Sequence, residues 1–280
     1  EEARYASRKK YSDHDRPRPL YTLKEAKAAL DALHARLDAS IEQMRTLIRA
    51  RLYNEAIHCA NSAVLANPGS PELLTLLGIA LMGLENFEDA REIFEAAYAL
   101  SPNDDQILTN LGACSIKLGD SKSAINYFGR LIILSPNDAE GHYKMGLALE
   151  TDGKSEAAIG SFAKAIEYNP RHVGALTRMS GLCRTMGFND HAIEAQSRAV
   201  DLSPEDSALW LRLGELYLVT DKNKEAIRVL SHTLDLDDTL YKARCALGFA
   251  FHGDDQSEKA CAEFRRCLEK CPDDIEATKG

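Results

Sequence analysis

Three kinds of side chain in this sequence could carry chemistry: thiols, imidazoles and paired carboxylates. Cys245, Cys261, Cys267 and Cys271 crowd one end at separations of 16, 6 and 4 residues, while Cys59, Cys114 and Cys183 are scattered. A structural zinc site draws on close pairs such as C-x-x-C. None occurs, so the seven thiols read as small apolar side chains kept reduced in a cytoplasm. The histidines at 14, 34, 58, 142, 172, 191, 232 and 252 form no ligand spacing. The acidic pairs Asp104-Asp105, Asp237-Asp238 and Asp273-Asp274 offer metal or acid–base chemistry on their face. They fall within a few residues of one place in the chain's period, however, close to where carboxylates compensate the dipole of a helix start. With no Walker loop, G-x-S-x-G or H-E-x-x-H motif, neither catalysis nor a cofactor is expected within residues 1–280.

The elements that position these residues follow from composition and period. Of 280 residues, 45% are hydrophobic and 28% charged, the balance of a core-forming protein. No apolar run approaches the length of a bilayer span, so membrane insertion is not expected, and the residues from Glu1 onward do not read as an export signal. The net charge is −9. Residues 1–36 hold nine Lys/Arg against six Asp/Glu, which leaves a net of −12 for residues 37–280. Nucleic acid, which needs a dense positive face, is excluded as a partner for that acidic body.

The period is 34. Prolines stand at 68, 102, 136, 170 and 204, and again at 272, with Asp238 in the skipped slot. Twelve residues before each slot is an alanine: Ala56, Ala90, Ala124, Ala158, Ala192, Ala226 and Ala260. Earlier by the same step come Gly78, Gly112, Gly146, Ser180, Gly214 and Gly248, with Met44 in the first unit. Phe94, Phe128, Phe162 and Phe264 hold a further fixed slot. Small residues at two slots let paired helices cross closely, and leucine or phenylalanine fills the space around the crossing. Proline ends the second helix, and Asp or Ser beside it caps the next.

In these slots the chain resembles the tetratricopeptide repeat family; Trp210, Leu213, Gly214, Tyr217 and Ala226 reproduce much of one unit. The resemblance implies an all-α, right-handed superhelical solenoid of seven units over residues 37–272, divided near 37–70, 71–104, 105–138, 139–172, 173–206, 207–240 and 241–274. Residues 1–21 read as a polar lead-in. From Thr22, which forms a capping box with Glu25, one long helix is expected to run into the first unit, residues 22–36 being its extension or cap. Residues 273–280 read as the start of a cut-off eighth unit, so the array is expected to continue in a longer protein.

In this family the first helix of each unit lines a concave groove. That implies candidate partner-binding residues Thr75, Ile79 and Met82 in the second unit, and Thr109, Asn110, Ala113 and Ile116 in the third. Tyr143, Lys144 and Leu147 follow in the fourth, and Thr177, Arg178 and Arg184 in the fifth. Leu211, Arg212, Glu215 and Leu218 belong to the sixth and Phe249 to the seventh. The wall is mainly apolar or neutral. Lys144, Arg178 and Arg212 form a basic strip on consecutive units, suited to an acidic segment or to solvent alone. Ile41 with Arg45 and Thr75 with Ile79 depart from the family's carboxylate clamp, and only Asn110 fits its sugar-transferase asparagine ladder.

The resemblance thus implies a protein-binding adaptor, scaffold or chaperone that holds a peptide or helix of a protein partner. Two alternatives stand beside it. The array could be the substrate-recruiting arm of a larger enzyme, such as a glycosyl-, sulfo- or methyltransferase with a catalytic domain after Gly280. It could also self-assemble through the N-terminal helix or an open end repeat. The sixth unit, where Leu230, Thr233 and Asp238 replace Phe, Ala and Pro, is expected to join the seventh by the loosest packing.

Overall fold

The computed structural model describes residues 23–270. The lead-in over 1–21, the Thr22 cap, Asp273-Asp274 and the helix start over 273–280 lie outside the described residues. Fourteen helices and no strand occur among the described residues. The chain forms two compact units, split between Leu100 and Ser101.

The first unit contains α1 (Leu23–Arg49), α2 (Tyr53–Ala66), α3 (Pro71–Gly83) and α4 (Phe87–Leu100). Ile41 and Met44 of α1, Ala60 and Ala63 of α2, and Leu73, Leu76 and Leu77 of α3 form its core. The apolar stripe of α1 enters this core from Leu37 onward. Leu30 and Leu33, earlier on the same stripe, are 50% and 41% exposed.

The second unit contains α5 (Asp105–Lys117), α6 (Ser121–Leu134), α7 (Ala139–Thr151), α8 (Ser155–Tyr168) and α9 (Val173–Thr185). It continues through α10 (Asn189–Leu202), α11 (Ser207–Val219), α12 (Asn223–Leu236), α13 (Tyr241–Gly253) and α14 (Ser257–Lys270). Each odd-numbered helix packs on the next even one, and neighbouring pairs then share apolar clusters: Phe162 and Ala165 with Leu176, Val200 with Leu209 and Leu213, and Leu230 with Leu247 and Ala250.

Within a pair the crossing is set by a glycine facing a ring. A Cβ on Gly78 would lie 2.5 Å from the Phe94 ring, and one on Gly248 2.6 Å from that of Phe264; Gly112 faces Phe128 and Gly146 faces Phe162 in the same way. Phe94, Phe128 and Phe162 are fully buried. Removing a side chain of this size from water contributes about 2–3 kcal/mol. The looser packing expected at the sixth unit is not found. Leu230 is fully buried against Gly214, as the ring would be, and carries contacts into α13. Thr233 is also fully buried, and its hydroxyl donates to the Val229 carbonyl at 2.9 Å, so the polar atom costs the core little.

The caps divide into two kinds. Asp104, Asp138 and Asp206 accept backbone N–H groups at the starts of α5, α7 and α11, and Ser70 does so for α3. Asp237-Asp238 departs from this expectation. Helix α13 starts after Leu240 without a side-chain cap. Asp237 instead closes the preceding turn, where its Oδ1 accepts from the Thr239 backbone and hydroxyl. The hairpin inside every pair turns on one left-handed residue: Arg51, Glu85, Gly119, Gly153, Gly187, Asp221 and Asp255 all have positive φ, 34 residues apart.

If the glycine–ring contact sets helix spacing, Gly78→Val should cost about 1–3 kcal/mol through overpacking, read as a lowered thermal midpoint. Gly160→Ala, on α8 where an added Cβ meets nothing within 4 Å, should leave stability unchanged or raise it by up to about 1 kcal/mol.

Candidate peptide-binding face

Helices α7, α9 and α11 are the first helices of three consecutive pairs, and residues at helical spacing give each an accessible stripe: Tyr143, Leu147 and Glu150; Thr177, Gly181 and Arg184; Leu211, Glu215 and Leu218. Two adjoining depressions open along these stripes. One, of about 370 Å³, is lined by Tyr143 and Glu150 of α7, by Gly174, Thr177, Arg178 and Gly181 of α9, and by Arg212 of α11. The other, of about 290 Å³, is lined by Thr177, Ser180, Gly181 and Arg184 of α9, by Glu215, Leu216 and Arg212 of α11, and by Gln196 of α10. Thr177, Gly181 and Arg212 belong to both. Gly181 keeps the space between them open: a Cβ there meets no atom within 4 Å.

The three cations of the basic strip differ in state. Lys144 is bound to Glu140 one turn back at 2.8 Å, and Arg178 reaches Glu150 of α7 at 3.5 Å. Arg212 is exposed and holds no carboxylate among the described residues; nor does Arg184. Beside them His172 organises the start of α9. Its Nδ1 accepts the Ala175 N–H at 3.2 Å, which places the ring proton of the neutral imidazole on Nε2, and Nε2 lies 3.3 Å from Glu140. Tyr143 packs on the His172 ring at 4.5 Å and on Phe162 at 5.8 Å. Gly174 leaves room for the Tyr143 hydroxyl. Partial burial pushes the Glu140 carboxyl up, but Lys144 and His172 outweigh it and hold the group below the usual carboxylate range.

Not every candidate residue reaches this face. Thr75 is a correction: it is 3% exposed, its hydroxyl donates to the Pro71 carbonyl, and it belongs to the packed interior of α3. Ile79 and Met82 on the same helix are half-buried in the first unit. On α5, Thr109, Asn110, Ala113 and Ile116 are half-buried, and the Asn110 Nδ2 is buried without a hydrogen bond. Phe249 of α13 is 36% exposed and sits edge-on to Phe264 at 5.0 Å. The residues brought together are Tyr143, Thr177, Arg178, Arg184, Arg212 and Glu215, with Leu147, Leu211 and Leu218 half-buried on the same helices. Gln196 was missed. It occupies the phenylalanine slot of the fifth unit, so a count by 34 from Phe162 finds it.

Comparison with known proteins agrees with the periodic reading. Profiles of the tetratricopeptide repeat match residues 41–105, 81–147 and 139–172. No curated protein matches the chain. Among solved structures, a tetratricopeptide repeat protein from Parabacteroides merdae is 20% identical, with 87% of this chain and 96% of that one covered and a TM-score of 0.62. The C-terminal part of a repeat protein from Cytophaga hutchinsonii is 15% identical over 85% of this chain and 98% of that one, with a TM-score of 0.72. YrrB, described as a TPR protein with an unusual peptide-binding site, is 17% identical over 68% of this chain and 97% of its own, with a TM-score of 0.61. The chain belongs to the tetratricopeptide repeat family. Its fold is that family's all-α superhelical repeat, a protein-interaction module. None of the described helices is long and apolar enough to cross a membrane.

The depressed Glu140 pKa fixes the sign of a pH effect. A carboxylate held lower in the folded than in the unfolded chain contributes stability that is complete above its unfolded pKa and lost as pH falls through its folded pKa. Lys144→Met removes a main opposing charge, so Glu140 should titrate at higher pH, and the stability it contributes above its unfolded pKa, and loses on the acid side, should be smaller. Carbon-detected NMR titration of the Glu140 carboxyl measures this directly; an unmoved midpoint would show that Lys144 does not govern it.

Proposed function

We propose that this protein is a cytoplasmic adaptor, with scaffold or chaperone duty, that holds a peptide or helix of a protein partner across α7, α9 and α11. Its action within residues 1–280 is binding, without catalysis or a cofactor. The observation that carries this reading is the pair of adjoining depressions that meet at Gly181, flanked by half-buried apolar residues and by two cations, Arg184 and Arg212, that no carboxylate among the described residues neutralises. Polar and charged side chains dominate the two depressions and can fix a ligand's orientation, while the half-buried Leu147, Leu211 and Leu218 on the same helices offer apolar contact beside them. The peptide-binding site named for YrrB, a fold neighbour, points the same way. The cytoplasmic placement is supported by Cys59, Cys183 and Cys261, which are free thiols.

The test is binding of the full chain to an array of synthetic dodecapeptides. Gly181→Trp should weaken the peptides that bind by at least about tenfold by filling the space where the two depressions meet, whereas Gly181→Ala should bind within a few-fold of the original. For those peptides, raising salt to 0.5 M should cost less than about tenfold, since screening reaches the charges and leaves the apolar contacts. Unchanged binding by Gly181→Trp would remove the site from this face.

A second reading, self-association through α1, has one observation of its own. Leu33 lines a cleft of about 920 Å³ with Leu37 and Leu47 of α1 and Ala63 and Ala66 of α2, and Leu30 stands exposed beside it. Light scattering should then give an oligomer for the full chain and a monomer for Leu30→Asp with Leu33→Asp. A monomer in both cases ends that reading.

A further inference from the structure

The fifth unit breaks the glycine–ring rule on both sides at once. Ser180 stands in the glycine slot and Gln196 in the phenylalanine slot, and they are only 3% and 1% exposed. Ser180 Oγ donates to the Ala192 carbonyl at 2.8 Å, across the pair from α9 to α10. Gln196 Nε2 donates to the Leu209 carbonyl at 2.9 Å, from α10 to α11. A carbonyl only accepts, so this bond fixes which end of the Gln196 amide is nitrogen, and the Gln196 Oε1 makes no hydrogen bond among the described residues. In the neighbouring fourth unit a buried Phe162 ring fills this crossing. Here the smaller depression reaches down to Gln196 and Ser180, so its floor is polar at the depth where the other pairs are apolar.

Two guanidiniums, Arg184 and Arg212, stand over this floor together with one carboxylate, Glu215. Neither arginine is spent on a carboxylate of this chain among the described residues. Two cations and one anion leave a single positive charge, which complements one monoanionic group and not a dianion. Resting on the reading of α7, α9 and α11 as a peptide-binding face, we infer that the fifth unit is a socket for one carboxylate side chain, Asp or Glu, of the bound segment. The carboxylate sits between Arg184 and Arg212, where charge-assisted hydrogen bonds are strongest. The unpaired Gln196 Oε1 and the Ser180 oxygen accept a backbone N–H from the same residue or from a water beside it. Ser180 and Gln196 spend their donors on main-chain carbonyls, which leaves their oxygens to serve as acceptors for the ligand.

The socket can be tested apart from the groove. N-acetyl-glutamate methylamide, titrated into the full chain, should shift the NMR signals of the Arg184 and Arg212 Nε–H groups and of the Gln196 amide, while N-acetyl-glutamine methylamide should bind at least about fivefold more weakly. Arg184→Gln and Arg212→Gln, both at exposed positions, should each remove that preference. The double variant Ser180→Gly with Gln196→Phe restores the family's crossing; it should keep the fold and lose the glutamate shifts. Equal binding of the two compounds, or full glutamate binding by the double variant, overturns the socket. Dodecapeptide binding by the original chain without any acidic preference would likewise sink the socket and leave the groove standing. Glutamate preference with no dodecapeptide bound would sink the groove instead.

Discussion

Two helices come closest across a shared core where one of them offers no side chain to the other, and the structure depends on that constraint at five of its seven described helix pairs. Gly78, Gly112, Gly146 and Gly248 leave the space, and Phe94, Phe128, Phe162 and Phe264 occupy it. Because a ring lies where a Cβ would have to be, the contact fixes both the separation of the helices and their rotation. The open faces of the pair are thereby set as well, and apolar residues on those faces join each pair to the next in the second unit. Helix propensity contributes little by comparison, since helices of 13 and 14 residues are marginal alone in water.

Much of this is legible from spacing. Gly, Ala, Phe and Pro recur at one interval because each meets the same steric demand in every pair, so the helix boundaries and the crossing residues can be counted off. The candidate face is legible only in outline. Lys144, Arg178 and Arg212 occupy one register, and nothing in the register distinguishes them. Their difference comes from whether an acid lies one turn back, as Glu140 does, or across on the neighbouring first helix, as Glu150 does. Thr75 shares a slot with Thr109 and Thr177, yet it alone of the three is buried. Asp237 lies three residues ahead of the cap slot: counting by 34 from Asp104 reaches Leu240, and α13 starts after it in the same register as α5, so neither Asp237 nor Asp238 stands where a carboxylate would cap the helix. Gln196 is hidden for another reason: the repeat pattern marks first helices as the groove lining, and this residue approaches the face from a second helix.

The fifth unit puts stability and recognition in opposition. Replacing a glycine–ring contact by Ser180 and Gln196 exchanges apolar burial for two hydrogen bonds to main-chain carbonyls, each of modest net value. What the exchange leaves is space and polarity beneath two unneutralised arginines. A core that tolerates such a defect in one pair, with well-filled crossings in the flanking pairs at Phe162 and Leu230, localises it. Sites that break a local rule while their surroundings keep it are where function is expected.

The left-handed corner inside each hairpin has an evolutionary corollary. Since Gly119, Gly153 and Gly187 bend the chain alike, and Asp221 and Asp255 follow with the same sign of φ, excising or duplicating one whole hairpin leaves a seam with the backbone course it replaced. Length in such a lineage can therefore change by unequal crossing-over in quanta of 34 codons, without any joint having to be reinvented. Shorter insertions throw the corner out of phase with the crossing and have no comparable route.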